Sequence, residues 1–171
     1  MTSDTVKLLA RYNTHVNAQM GQILAQLNDK QWNQELGGYC PTIRSLCSHL
    51  FIADLNWLKR FAKHRPFEYA EHPLLQKQLV WGDLLFATFR DYAPDRTILD
   101  ELLAKLIEEL QPDELLETLN YKDWRGVDQS RVIGGILLHL FNHQTHHRGM
   151  ISLYLDMLGK VNDFSNLFEL L

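Results

Sequence analysis

The amino-acid sequence predicts an all-α protein, a four-helix bundle in which residues 1–171 form a single domain. Apolar residues recur at steps of three and four in four separate segments, which is the spacing of amphipathic helices. Loops containing Pro or Gly separate these segments, and no stretch alternates apolar and polar residues convincingly enough to predict a strand. Helices of this kind bury their apolar faces against one another.

The composition is that of an ordinary globular chain. Of 171 residues, 46% are hydrophobic and 22% are charged, which is enough for one full core. The net charge of -4 argues against a nucleic-acid partner, because such proteins usually carry a basic face. No apolar run is long enough to predict a membrane span. Cys40 and Cys47 form neither a disulfide framework nor a zinc-type pair, so we expect a cytoplasmic protein.

The first predicted helix runs from Thr2 to Leu27, and its apolar stripe contains one polar member, Asn13. Together with Asn17, Asn13 is interpreted either as part of an interior polar site or as a hydrogen-bonded amide at a helix contact. His15 lies off the stripe, on its shoulder or at the surface.

The second predicted helix follows a turn at residues 34–41 and runs from Thr42 or Ser45 to about His64. It is apolar on two sides, which predicts that it is largely buried. His49 lies at the edge of one apolar face, with Asp54 and Trp57 further round the helix.

The middle of the chain is less regular. Residues 65–81 are predicted to form a long connection with room for one helical turn. The remaining predictions are a short helix at 82–92, a clearer helix at 94–110, a connection at 112–124 with a helical turn around 113–119, an extended or turn segment at 121–127, a long last helix at 130–158 ended by Gly159, and an apolar tail at 163–171 packed on the body.

The last predicted helix contains His139, His143, His146 and His147. A projection at 100° per residue places His147 inside the core-facing stripe and His143 at its edge, with the other two displaced the opposite way. Histidines four apart on a helix can bind one metal ion, so this is the best inward pair. The alternative is a set of buried histidines hydrogen-bonded to neighbouring helices. Gln144 stands where a metalloprotease would have glutamate, which disfavours a peptidase.

A metal site needs a third ligand from elsewhere, and the candidates are His49, His72, Asp54 and Glu71. His49 is favoured because it lies on a regular, largely buried helix. Asp54 is expected beside the ligands or at the surface. Three histidines with one open position are typical of a catalytic zinc-type site rather than a structural one.

Three motifs resemble those of the DinB-like family of small metalloproteins. The run His139-x-x-Asn142-His143-x-x-His146-His147-Arg148-Gly149 is similar to the C-terminal signature of the family, Tyr12-Asn13-x-x-x-Asn17 to its first-helix motif, and Ser45-x-x-x-His49 followed by Asp54 and Trp57 to its second-helix motif. The chain departs from the pattern at His15, usually Trp, and at Met150, often Gln. These departures bear on substrate class more than on metal binding.

The resemblance implies a bundle of up-down-down-up topology with one divalent metal ion, zinc or nickel, held by His49, His143 and His147. It also implies a small-molecule substrate, such as a low-molecular-weight thiol, and a homodimer. Thiol-dependent S-transfer and isomerisation are known in the wider superfamily. The family name refers to DNA-damage induction, but the acidic balance of this chain does not support DNA binding.

We therefore expect a metal-dependent S-transferase or hydrolase, with the catalytic residues left open. Six residues are expected either to line the pocket or support the ligands, or to serve structure alone: Asn13, Asn17, Trp57, His139, His146 and Arg148. The rival hypothesis is a non-catalytic bundle that binds a partner or ligand and has a vestigial or structural metal site.

Overall fold

A computed structural model describes residues 1–171. The chain forms five helices and one two-stranded sheet: α1 (Ser3–Leu24), α2 (Asp29–Trp32), α3 (Ile43–Ala62), α4 (Phe89–Glu109), β1 (Thr118–Lys122), β2 (Asp128–Val132) and α5 (Ile133–Met157). The four long helices confirm that the chain is mostly helical, as predicted, whereas the sheet was not expected. None of the helices is long and apolar enough to cross a membrane.

The N-terminal segment contains two helices where the prediction had one. The side chain of Thr2 caps α1 by accepting the amide of Thr5, and α1 ends at Leu24 rather than Leu27. Asn28 and Gln31 then form a reciprocal capping box that starts α2, which competes with continuation of α1.

Helix α3 begins with a capping box between Thr42 and Ser45, so both predicted starting residues take part in the cap. The helix is buried on several sides, as its two apolar faces predict. The connection after α3 contains two short 3-10 turns, Glu68–Glu71 and Pro73–Gln76, rather than one helical turn.

The prediction of separate helices at 82–92 and 94–110 was wrong. Thr88 and Asp91 form a capping box, and one helix, α4, runs from Phe89 through Pro94. Proline removes a single hydrogen bond here, the one to the carbonyl of Arg90, and it does so near the helix start at an exposed position. Residues 82–88, the first part of the predicted short helix, are not helical, and Gly82 has a φ of 94°.

The expectation of no strand was also wrong. Strands β1 and β2 pair antiparallel from Thr118 opposite Val132 to Lys122 opposite Asp128. Only Leu119 is buried in the hairpin, so apolar alternation is too weak to signal it. Pairing of residues 128–132 delays the start of α5 from the predicted Ser130 to Ile133.

One contiguous core of 35 buried residues joins the long helices. The C-terminal tail packs back only in part. Phe164 contacts the core, and its carbonyl accepts the hydroxyl of Tyr12 at 2.5 Å. Phe168, by contrast, is 82% exposed.

Candidate metal centre

Three histidine side chains from two helices converge on one point. His49 lies on α3, and His143 and His147 lie one turn apart on α5. Nε2 of His143 is 3.0 Å from Nε2 of His49 and 3.1 Å from Nε2 of His147. The potential ligand atoms of all three residues lie within 4.8 Å of one another. The structure thus brings together the three histidines that the sequence singled out.

These separations suit a shared cation. Two nitrogens at about 2.1 Å from one ion lie about 3.0 Å apart at a right angle and about 3.4 Å apart at the tetrahedral angle. Nε2 of a neutral imidazole carries either one proton or one lone pair, so Nε2 of His143 cannot form a good hydrogen bond with both neighbours. A cation bound by three lone pairs would satisfy all three atoms.

Burial keeps these imidazoles neutral. It lowers the pKa of His143 to about 4 and that of His147 to about 3, and neighbouring imidazoles add to both shifts. Burial also lowers the pKa of His49, although Asp54 opposes the shift. At neutral pH the ring nitrogens therefore have lone pairs available for a metal.

One side of the cluster faces a cavity of about 200 Å³ lined by Trp57, Trp81, His139 and His143 among others. No cysteine, carboxylate or fourth histidine joins the group. Nδ1 of His147 is buried without a protein partner, so no hydrogen bond from the chain orients that ligand. Three converging nitrogens beside a cavity are the arrangement expected of an open metal site.

None of the other candidates for the third ligand joins the cluster: His72 and Asp54 are engaged elsewhere, and Glu71 is exposed outside it. Nδ1 of His72 accepts the amide of Leu74 at 3.2 Å. Asp54 is only 1% exposed, so it is not a surface residue. Its carboxylate accepts hydrogen bonds from Arg96, at 2.7 Å, and from Gln144.

A buried polar network lies beside the three histidines and links all four long helices. Its members are Asn13 and Asn17 on α1, Asp54 on α3, Arg96 and Asp100 on α4, and Gln144 and Arg148 on α5. Arg148 donates to Asn13 at 2.5 Å, and Asn17 donates to Asp100 at 2.9 Å. None of these groups hydrogen-bonds to the three imidazoles. The network therefore affects the site only by fixing the positions of the helices that carry the histidines.

Sequence reasoning missed three members of this network. Gln144 was read only as the absence of a metalloprotease glutamate, yet it is fully buried and donates to Asp54. Arg96 and Asp100 form an ion pair one turn apart. The sequence did offer a signal for these two charges. Arg96 and Asp100 each precede a leucine by three residues, Leu99 and Leu103, and this helical spacing places both charges beside the apolar face of α4.

The remaining pocket candidates lie at the rim of the site. Trp57 and His139 line the cavities, with their ring centroids 6.1 Å apart. His146 is exposed, and its ring centroid is 4.8 Å from that of His147. Cys47 is fully buried, and burial raises its pKa to about 12, so it does not supply a thiolate at neutral pH.

Comparison with known proteins agrees with the motifs in the chain. The sequence model of the DinB family matches residues 1–167. The chain belongs to the DinB family. It is also similar to the protein DinB of Bacillus subtilis (strain 168), with 25% identity over 164 residues, covering 92% of this chain and 88% of that protein. The predicted family resemblance is therefore confirmed.

Proposed function

We propose that this DinB family member is a metal-dependent enzyme that holds one divalent ion, zinc or nickel, on His49, His143 and His147. The observation that carries the proposal is the convergence of three neutral Nε2 atoms beside a cavity. A structural metal would call for a complete set of protein ligands. The three-histidine group favours chemistry instead.

The proposed reaction is S-transfer: the thiol loses its proton, its sulfur forms a bond to an electrophilic carbon of a small molecule, and the bond from that carbon to a leaving group such as chloride breaks. Hydrolysis is the variant in which water takes the place of the thiol. When bound, a divalent cation supplies positive charge that favours the anion of a thiol or water placed against it. The chain contributes an aromatic wall, formed by Trp57 and Trp81, that limits solvent at the site. His139 lines the same cavity and carries a ring nitrogen that can take or return the proton.

We also infer that the long helices follow the up-down-down-up order. Contacts between α3 and α5 (His49 with His143, Trp57 with His139) support antiparallel packing. Asp54 of α3 contacts Arg96 of α4, and Arg65, three residues after α3 ends, contacts Glu109 at the end of α4, which supports parallel packing of these two helices. Contacts between α1 and α4 (Asn17 with Asp100, Gly21 with Phe89) support antiparallel packing. Homodimerisation remains a prediction from the family resemblance.

A thiol-transfer screen tests the function. Zinc-loaded and nickel-loaded protein is mixed with an electrophilic chloronitrobenzene and with cysteine, glutathione or bacillithiol in turn. We expect turnover with at least one thiol, and loss of that turnover to the background rate in His143→Ala and His147→Ala. His64→Gln is the matched control, since His64 pairs with Glu117 away from the site. Activity that survives both ligand substitutions would place the chemistry elsewhere.

A further inference from the structure

Arg60 is a cation without a protein acceptor that lines the same cavity as His143 of the candidate metal centre. It shares one face of α3 with His49, Ala53 and Trp57. Its guanidinium carbon lies 4.5 Å from the ring centroid of Trp57 and 4.7 Å from that of Tyr121. Its side chain makes no hydrogen bond or ion pair, and burial lowers its pKa. Stacking on two rings therefore holds the guanidinium in place while its N–H groups remain free.

The cavity that Arg60 lines is the one that also contains His143. Its volume is about 200 Å³, and Trp81 and Trp124 form further parts of its wall. A second cavity of about 390 Å³ shares His139, Trp57 and Tyr121 with it. The two cavities form a recess that runs along α3 and α5, from the histidine cluster to the hairpin.

The acid nearest to Arg60 in this recess is already engaged. Asp123 lines the cavity, but its Oδ1 accepts the amides of Arg125 at 2.9 Å and Val127 at 3.0 Å, which closes the hairpin turn. Asp123 contributes favourable charge to Arg60 without an ion pair between them. Because five donors held in a partly desolvated recess lack acceptors, an anionic ligand would gain charge-assisted hydrogen bonds there.

The aromatic side chains alone could be taken for a cage that binds a cation. Arg60 argues against this, because it already covers the faces of Trp57 and Tyr121. A second cation would meet both an occupied ring face and the positive charge of the guanidinium. The charge of the recess favours an anion, and the planar fork of arginine suits a carboxylate.

We propose that Arg60 is a specificity-determining residue that binds the carboxylate of a small substrate whose other end reaches the histidine cluster. The position of that other end rests on the proposed function. Arg60 follows His49 by 11 residues, a rise of about 16 Å along the helix. The cavity that Arg60 lines reaches the cluster at His143, which shortens the distance that a ligand must span. The substrate therefore spans on the order of 10 Å, with an apolar body between its two polar ends.

Calorimetric titration with 3-phenylpropanoate and its neutral amide tests the subsite. We expect the protein to bind the carboxylate at least about tenfold more tightly than the amide. In Arg60→Met, which retains the apolar stem, we expect carboxylate affinity to fall about 10- to 100-fold with amide affinity unchanged. Arg60→Lys should restore part of the preference, because an ammonium ion cannot bind both oxygens in a fork. Lys63→Met is the control, since Lys63 is exposed and does not line the cavity.

Two results would overturn the subsite: no preference for the carboxylate in the unsubstituted protein, or the same preference in Arg60→Met. Titrations of metal-free protein and of zinc-supplemented His147→Ala separate this proposal from the proposed function. Binding that depends on Arg60 without metal supports the subsite even if no metal site exists. Binding that depends on metal but not on Arg60 places the carboxylate on the ion, which refutes the subsite and leaves the metal function intact.

Discussion

Arg96 offers a direct test of the buried polar network. Its side chain is 6% exposed, donates to Asp54 at 2.7 Å, and donates through Nε to Asp100 at 3.0 Å. Burial by itself would lower the pKa of Arg96, but the two carboxylates raise it well above the ordinary value. Arg96→Met keeps much of the side-chain volume and removes the charge.

The expected cost follows from what remains behind. Asp54 would keep only the donor of Gln144, and Asp100 would keep the amides of Asn17 and Asn13. Removing one partner from a buried ion pair costs about 3–5 kcal/mol, because the other charge stays buried and unpaired. For a chain of this size, this corresponds to a melting temperature about 6–20 °C lower.

Urea unfolding at pH 7 measures this cost as a fall in the free energy of unfolding at constant slope. The control is Lys77→Met, whose ion pair with Asp95 is at 2.5 Å but whose side chain is 46% exposed. We expect that control to lose at most about 1 kcal/mol. A loss below about 1 kcal/mol in Arg96→Met, with an unchanged slope, would refute the view that this network holds buried charge.

Two further predictions concern the helix that carries the histidines. Gln144→Leu should lower the free energy of unfolding by about 1–3 kcal/mol, because Asp54 loses a buried donor. Asn142→Leu, at an exposed position on the same helix, is the control in the same urea assay. For pH, the lowered pKa values of His143, about 4, and His147, about 3, mean that metal affinity should change little from pH 8 to 6. Metal-free protein should lose stability as pH falls from about 6.5 towards 4, because the unfolded chain takes up protons that the buried imidazoles do not. A free energy of unfolding that rises as pH falls over this interval would contradict the prediction.

Helical periodicity was sufficient to predict the long helices and the inward position of His147. His49 could be preferred to His72 and Asp54 as the third metal ligand, because the two apolar faces of α3 predict that this helix is buried. The convergence of Nε2 atoms to 3.0 and 3.1 Å, by contrast, depends on how α3 packs on α5. Local spacing on one helix does not contain that information.

The errors have identifiable physical causes. Pro94 was read as a helix start, although a capping box at Thr88 determines where α4 begins. The hairpin was missed because only Leu119 provides an apolar signal. The sequence carries no signal for the environment of Arg60, because its guanidinium stacks on Tyr121 beside the hairpin, which is distant in sequence.

The central claim is one divalent metal ion on His49, His143 and His147. Elemental analysis of purified protein, before and after supplementation with zinc or nickel, tests it most directly. We expect one equivalent of metal per chain, lost in His147→Ala and retained in His64→Gln. Protein that contains no metal in either preparation, or His147→Ala that keeps a full equivalent, would contradict the claim.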